Sequence, residues 1–359
     1  MITTPPEISL IVPLLNENAS LPALFASLAA QEGIRFEVIL CDGGSCDGTQ
    51  ELSHELGSNA AFAVHLIDTP RGRGLQMNTG VATARSDLLL FLHADSCFNR
   101  PDALRSAVSA YRHMSEESPD PVAARFRLCF QRQDNQASLA YYFYESKARL
   151  NRADCIRGDQ GFLLHRTLFE SLGGFDTSLP FLEDVRMASA VAERGLWRLL
   201  PAEISTSARR FETEGLYERQ VLNSIITNSV ATGWGEFFSA LPGLYRCNSS
   251  SGKLLLYPLL DGIRTLLAAR DASWRRSFWK STGGHVAGNI WQIFFWLDVR
   301  SNFISGCNPD DVPTQRLKWF QHHLEHRIRG PLVETITAAA VWTWFRFMLI
   351  LHKRTTKTS

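Results

Sequence analysis

Two hydrophobic periods alternate along the first two thirds of the chain. The short apolar runs ISLIVPLL (8–15), FEVILCD (36–42), AFAVHLID (61–68) and DLLLFLHA (87–94) read as strands buried on both faces. Between them, SLPALFASLAAQ (20–31), a segment opening near Thr49 and GLQMNTGVATA (74–84) carry a helical pattern. Strands spaced by helices predict a parallel α/β sheet with right-handed crossovers. Further on, ARFRLCFQ (124–131), GDQGFLLH (158–165) and LWRLLPAEIST (196–206) read as strands. ASLAYYFYESKARL (137–150) and EDVRMASAVAERG (183–195) read as helices.

Polar residues collect where these strands end, which is where open parallel sheets bind ligands. Strand one runs into Pro13-Leu14-Leu15-Asn16-Glu17, and strand two into Asp42-Gly43-Gly44-Ser45-Cys46-Asp47-Gly48-Thr49. An acid such as Asp42 at a strand end suits a ribose hydroxyl or base N–H, while Asp47 and Thr49 suit a turn and a helix start. Arg71-Gly72-Arg73-Gly74 precedes a helix and suits an anionic diphosphate, although it completes neither GxGxxG nor the Walker pattern. The fourth strand ends on His93-Ala94-Asp95-Ser96, putting Asp95 at the rim of a pocket or at a cap.

Charge divides the chain. Residues 245–359 hold 16 Lys and Arg against 7 Asp and Glu, whereas residues 1–244 hold 21 against 29. Seven of the nine tryptophans also follow residue 245. A domain boundary is therefore expected at the RCNSSSGK loop (246–253), between an α/β domain over 1–244 and a basic, mainly helical region over 245–359. The acidic balance of the first domain argues against nucleic-acid binding. Seven cysteines without a CxxC pair suit a reducing, cytoplasmic setting. MITTPPEISLIVPLL lacks the basic start of a signal peptide.

The motifs PLLNE, CDGGSCDGT, GRGLQMNTG, FLHADS, GDQGFLL, FLEDVRMA and TSARRF follow in that order over residues 13–211. Together they resemble the family-2 glycosyltransferases of GT-A fold, especially the branch associated with selenium- or arsenosugars. The resemblance implies an inverting transferase with a nucleotide-diphosphate sugar as donor, a UDP-sugar first among them, and Mg²⁺ or Mn²⁺ as cofactor. Pro13, Glu17 and Asp42 would line the nucleoside pocket. Arg73, Gln76 and Asn78 belong to the motif facing the diphosphate, and Arg209 and Arg210 to a later basic one. Asp95 would hold the metal, Asp159 and Gln160 would lie near donor sugar or acceptor, and Asp184 of the Glu183-Asp184 pair would be the base. His93 replaces the first acid of the DxD signature, leaving one carboxylate for the metal. The absence of QxxRW argues against processive synthesis.

Two other functions share the scaffold: a sugar-nucleotidyltransferase, which usually carries a glycine-rich basic loop after strand one, and a catalytically silent nucleotide-sugar binder. His322-His323-Leu324-Glu325-His326 matches a zinc-protease pattern, but Leu317, Phe320, Leu324 and Ile328 place it on an amphipathic helix instead. KLLLYPLLDGIRTLLAAR (253–270), NIWQIFFWLDV (289–299) and LVETITAAAVWTWFRFMLIL (332–351) are rich in apolar and aromatic residues. They suit a helical domain packed on the catalytic one, peripheral attachment to the inner face of the cytoplasmic membrane, or a span interrupted by Glu334 and Arg346. Trp291, Trp296, Trp342 and Trp344, with Lys353, Arg354 and Lys357, would suit an anionic interface. The acceptor is a small molecule or lipid-linked.

Overall fold

The computed structural model describes residues 5–134, 136–179, 181–328 and 330–355. They form two compact units, one built from residues up to 131 with 136–207, the other from 132–134 with 208–355. This division at Ser207/Ala208 lies well before the charge shift. The helices that follow residue 208 belong to the second unit although their composition still resembles the first.

In chain order the first unit contains β1 (Ile8–Leu14), α1 (Leu21–Ala29), β2 (Phe36–Asp42), α2 (Thr49–Ser58), β3 (Ala63–Asp68), α3 (Arg73–Thr83), β4 (Leu88–Phe91) and β5 (Ser96–Phe98). It continues with α4 (Ala103–Glu116), β6 (Val122–Gln131), α5 (Leu139–Ala148), β7 (Phe162–His165), α6 (Arg166–Ser171), α7 (Glu183–Arg194) and β8 (Leu196–Ser207). The eight strands form one sheet in the order β3-β2-β1-β4-β7-β6-β8-β5. Neighbours are parallel over β3-β2-β1-β4 and for β6 with β8, and antiparallel where β7 and β5 pair. The sheet is thus mixed, mostly parallel, with crossovers through helices.

Period-two alternation builds two cores. Ile8, Leu10, Val12 and Leu14 of β1 pack with Val38, Leu40 and Leu90 against α1 and α4. Ile11, Ile39, Leu89 and Phe91 face the other way, against Met77 and Val81 of α3 and Met187, Ala188 and Val191 of α7. The central strands β1, β2 and β4 therefore bury both their faces, which is why they read as unbroken apolar runs. Gly80 permits the closest approach of α3: a Cβ there would lie 2.6 Å from Ile11 Cγ2 and 2.7 Å from Cys41 Sγ.

Several elements differ from expectation. The strand over 87–94 ends at Phe91, and the chain turns through His93–Ser96 into the short β5. Gly158–Gln160 is a single 3₁₀ turn, and the strand starts only at Phe162. Helix α4 was not among the expected elements. Its apolar positions, Ala103, Leu104, Ala107, Val108 and Tyr111, follow the helical period.

The second unit is helical: α8 (Arg209–Glu214), α9 (Leu216–Ala231), α10 (Gly235–Leu244), α11 (Leu256–Ala268), α12 (Ala272–Gly288), α13 (Trp291–Ile304), α14 (Gln315–His323) and α15 (Pro331–Thr355). The amphipathic helix expected through Ile328 stops at His323, so Glu325 and His326 lie past its end. Leu317 and Phe320 are its buried anchors.

Candidate active site

Two loops at the carboxyl ends of β1 and β2 are laced together. Asn16, whose φ is +57°, donates its N–H to Ser45 Oγ at 2.9 Å and accepts from Cys46 N–H at 2.9 Å. Glu17 N–H donates to Thr49 Oγ1 at 2.9 Å, and Asn18 N–H to Asp47 Oδ2 at 3.3 Å. Asp47 and Thr49 thus shape the turn. Asp42, fully buried at the end of β2, accepts from Gly44 N–H (3.0 Å), Ser45 N–H (2.9 Å), Gln50 Nε2 (2.7 Å) and the Ser45 hydroxyl. Burial opposes its ionisation, but the Ser45 and Gln50 side chains with the two N–H groups outweigh burial and hold the carboxyl below its ordinary value.

Asp42→Ala would strand those donors, and we expect a loss of about 2 kcal/mol at neutral pH. Because the folded-state pKa is depressed, this stabilisation is present above the unfolded value and disappears as pH falls through the folded one. Thermal unfolding should show a gap of several degrees at pH 7 that closes in acid. A constant gap would contradict the role of the charge.

The second cluster joins α3 to α7. Gly72, with φ of +145°, turns the chain into α3 so that Arg73 is its first residue. Leu182 takes a left-handed conformation, φ +65°, before α7 opens on Glu183 and Asp184. A non-glycine residue held there is uncommon and costs backbone strain. The two carboxylates also gain from the helix N-terminus. Arg73 Nε pairs with Glu183 Oε1, its Nη2 lies 3.8 Å from Asp184 Oδ1, and its Nη1 lies 3.3 Å from His93 Nε2. Asp184 Oδ2 accepts the Gly158 N–H at 2.8 Å, while its enclosed Oδ1 has no hydrogen-bond partner among the described residues.

Charge distinguishes the carboxylates. Burial works against ionisation of Asp184, yet Arg73, the Gly158 N–H, Arg157 and His93 together keep its carboxyl below the usual range. Asp159 is pushed up to about 7 by burial and by the negative charge of Asp184, with Asp95 adding to it and Arg157 and Arg73 opposing. Its Oδ1 is likewise enclosed and unpartnered among the described residues. Asp95 stands in the turn after β4, half-buried, with Thr206 Oγ1 at 3.5 Å from its Oδ1. Arg73, His93, Asp95, Asp159, Glu183 and Asp184 therefore share one electrostatic neighbourhood.

Three of the other expected site residues, Gln76, Asn78 and Gln160, spend their side-chain amides on backbone groups. Gln76 is buried, and its Nε2 donates to Leu14 O and Cys41 O, both at 2.7 Å, tying the ends of β1 and β2. Asn78 pairs through its amide with both backbone groups of Phe175 at 2.9 Å. Gln160 Nε2 donates to Cys155 O at 2.8 Å. Pro13 lies opposite Cys41 in the sheet register, and Glu17 accepts from the Ser20 hydroxyl at 2.8 Å. Arg209 and Arg210 are exposed at the start of α8, within the second unit. Arg157 was missed by sequence reasoning. Its signal was a cation directly before the Gly158-Asp159-Gln160 motif.

The family model described as glycosyl transferase family 2 matches residues 9–173, from β1 through α6. Over that segment the chain is similar to the family-2 glycosyltransferases. Its sheet has the GT-A arrangement expected from the motifs. A PGL/p-HBAD biosynthesis glycosyltransferase of Mycobacterium bovis is 40% identical over 119 residues, which are 33% of this chain and 45% of the relative. An undecaprenyl-phosphate 4-deoxy-4-formamido-L-arabinose transferase of Aeromonas hydrophila is 34% identical over 108 residues, 29% of this chain and 33% of the relative. The chain thus spans less than half the length of either curated relative. A mannosyltransferase of Pyrobaculum calidifontis, solved with GDP-Man and Mn²⁺, superposes with a TM-score of 0.48 at 17% identity, over 94% of this chain and 88% of that one. At that score the likeness is general only. The glycosyltransferase match ends before α7, so Glu183 and Asp184 lie beyond it.

Proposed function

We propose that the domain moves a glycosyl group from a nucleotide-diphosphate sugar to an acceptor hydroxyl, with inversion at the anomeric carbon and without processive extension. The observation that carries the proposal is the Asp184 carboxylate, fixed through Oδ2 to the Gly158 N–H and free at Oδ1 of any hydrogen bond among the described residues. A carboxylate held this way offers one oriented lone pair to the acceptor hydroxyl. As the acceptor oxygen attacks the anomeric carbon, its proton passes to Asp184 Oδ1 and the bond to the diphosphate breaks on the opposite face. A positioned base of this kind contributes about 10²–10⁴-fold. Against burial, Asp184 and Glu183 together keep Arg73 charged, and Glu183 holds it in place through its ion pair. The Asp42 loop with Pro13 and Glu17 would take the nucleoside, and Arg73 the diphosphate.

A divalent metal, Mg²⁺ or Mn²⁺, fits the residues present. Burial does most to push the Asp159 carboxyl up, the negative charges of Asp184 and Asp95 add to it, and that excess charge is the imbalance a cation relieves. Among the described residues no set of three or more His, Cys, Asp and Glu forms a ready metal nest. Mg²⁺ sites of one or two carboxylates completed by substrate phosphates do not require such a nest. Asp95 would be the protein ligand. When bound, the ion neutralises charge developing on the diphosphate. A lipid-linked acceptor is supported by the Aeromonas relative, whose name specifies undecaprenyl phosphate.

The test is a thermal-shift screen of UDP-, GDP- and TDP-sugars with Mn²⁺. One nucleotide class should raise the midpoint by about 5 °C or more at a hundredfold excess over Kd. No shift with any of them would overturn the proposal. Donor hydrolysis in the same mixtures separates an enzyme from a silent binder.

A further inference from the structure

Helix α15 leaves one face uncovered from Leu332 to Ile350. Ala338, Phe345, Met348 and Leu349 are buried against the other helices of its unit, with the Phe345 ring 5.9 Å from that of Trp279 on α12. The opposite side exposes Leu332 (73%), Ile336 (61%), Phe347 (60%) and Ile350 (59%). Spaced by three, four or seven residues or their sums, these positions fall on one helical stripe. At 1.5 Å per residue the stripe is roughly 25–30 Å long, far beyond a scatter of single exposed apolar residues.

Cations border this stripe along one edge. Arg275, Arg276 and Lys280 of α12 are exposed and line a groove of about 590 Å³ whose apolar walls include Trp279 and Trp342. Arg346 lies on the same edge of α15, its guanidinium 5.7 Å from the centre of the Trp342 ring. Helix α12 contains no acid, and the one acid of α15, Glu334, reaches across to Lys280 at 3.9 Å. The side chain of Arg354 and all of Lys357 lie outside the described residues.

We propose that this face docks on an anionic phospholipid bilayer. Apolar side chains enter the acyl boundary, tryptophans lie at headgroup depth, and the basic edge meets lipid phosphates. A second copy of the chain fits less well, because a two-fold contact would set the same basic edge beside its own image. Residues 331–353 are long and apolar enough to cross a bilayer. Their packed face and the central Arg346 instead keep the helix in the plane of the interface.

Vesicle flotation of the full chain tests this. Vesicles of phosphatidylcholine with phosphatidylglycerol should carry the protein at low salt, and phosphatidylcholine alone should carry little. Arg275→Ala/Arg276→Ala/Lys280→Ala should weaken partitioning about a hundredfold, near fivefold per cation, and Ile336→Ser/Phe347→Ser/Ile350→Ser should abolish it. All six side chains are exposed, so thermal unfolding should be unchanged. If the triple serine variant unfolds, Phe347→Ser alone should still lower partitioning at least tenfold. Failure of the parent to float, or flotation indifferent to these variants, overturns the proposal. A lipid-free dimer that the serine variant dissociates, with no flotation, would assign the face to a second copy.

Discussion

Asp184→Asn is expected to lower turnover by at least ~10²-fold while leaving donor affinity nearly unchanged. The amide is isosteric and keeps an oxygen for the Gly158 N–H, so the 158–160 turn should hold. Arg73 loses one counter-charge but keeps Glu183, so the junction of α3 and α7 should remain closed. What disappears is the proton-accepting lone pair on Oδ1. Separate measurement of kcat and donor Kd isolates that loss, because a binding residue would move Kd instead. The carboxyl is held below its ordinary value by Arg73, the Gly158 N–H, Arg157 and His93 against the opposing effect of burial. The base should therefore stay ionised into mild acid, and the acid limb of kcat should begin below the usual carboxylate range. A product with retained anomeric configuration, or a variant with parental kcat, would remove Asp184 from this role.

Much of the first unit was legible because its central strands are buried on both faces. A strand such as Leu88–Phe91 must then be apolar at every position, and such runs stand out without any alternation. The polar residue types after each run were legible too, since ligand chemistry collects at strand ends. The division of labour among them was not. Gln76 and Asn78 look like binding residues in sequence, but each spends its amide on backbone groups far along the chain, at Leu14 and Phe175. The segment over 158–160 read as strand because Phe162–His165 extends it in pattern. The Gly158 N–H instead turns toward Asp184, a partner 26 residues away. The end of α14 at His323 was also hidden, because Leu324 and Ile328 continue the helical period after the backbone has left it.

The Asp95→Ala variant should lose metal-dependent donor binding altogether while keeping its fold. Asp95 is half-buried in a turn, and its carboxylate meets Thr206 only at 3.5 Å, so little structure depends on it. Its charge is one of those that raise Asp159, and removing it relaxes that repulsion. The substitution should therefore leave the midpoint of thermal unfolding in EDTA unchanged or slightly higher. With Mn²⁺ and nucleotide sugar present the order reverses: the parent gains stability from the bound pair and the variant gains none. His93 stands where a second acid would share the ion, and its Nε2 already lies 3.3 Å from Arg73 Nη1. A single carboxylate must then supply the protein's anionic hold on the metal, which makes the loss complete. Asp95→Glu keeps the charge on a longer arm and should recover part of the Mn²⁺-dependent shift. Donor affinity of the parent that is indifferent to EDTA would show that Arg73 and its neighbouring cations hold the diphosphate without a metal, and Asp95 would have no ligand to bind.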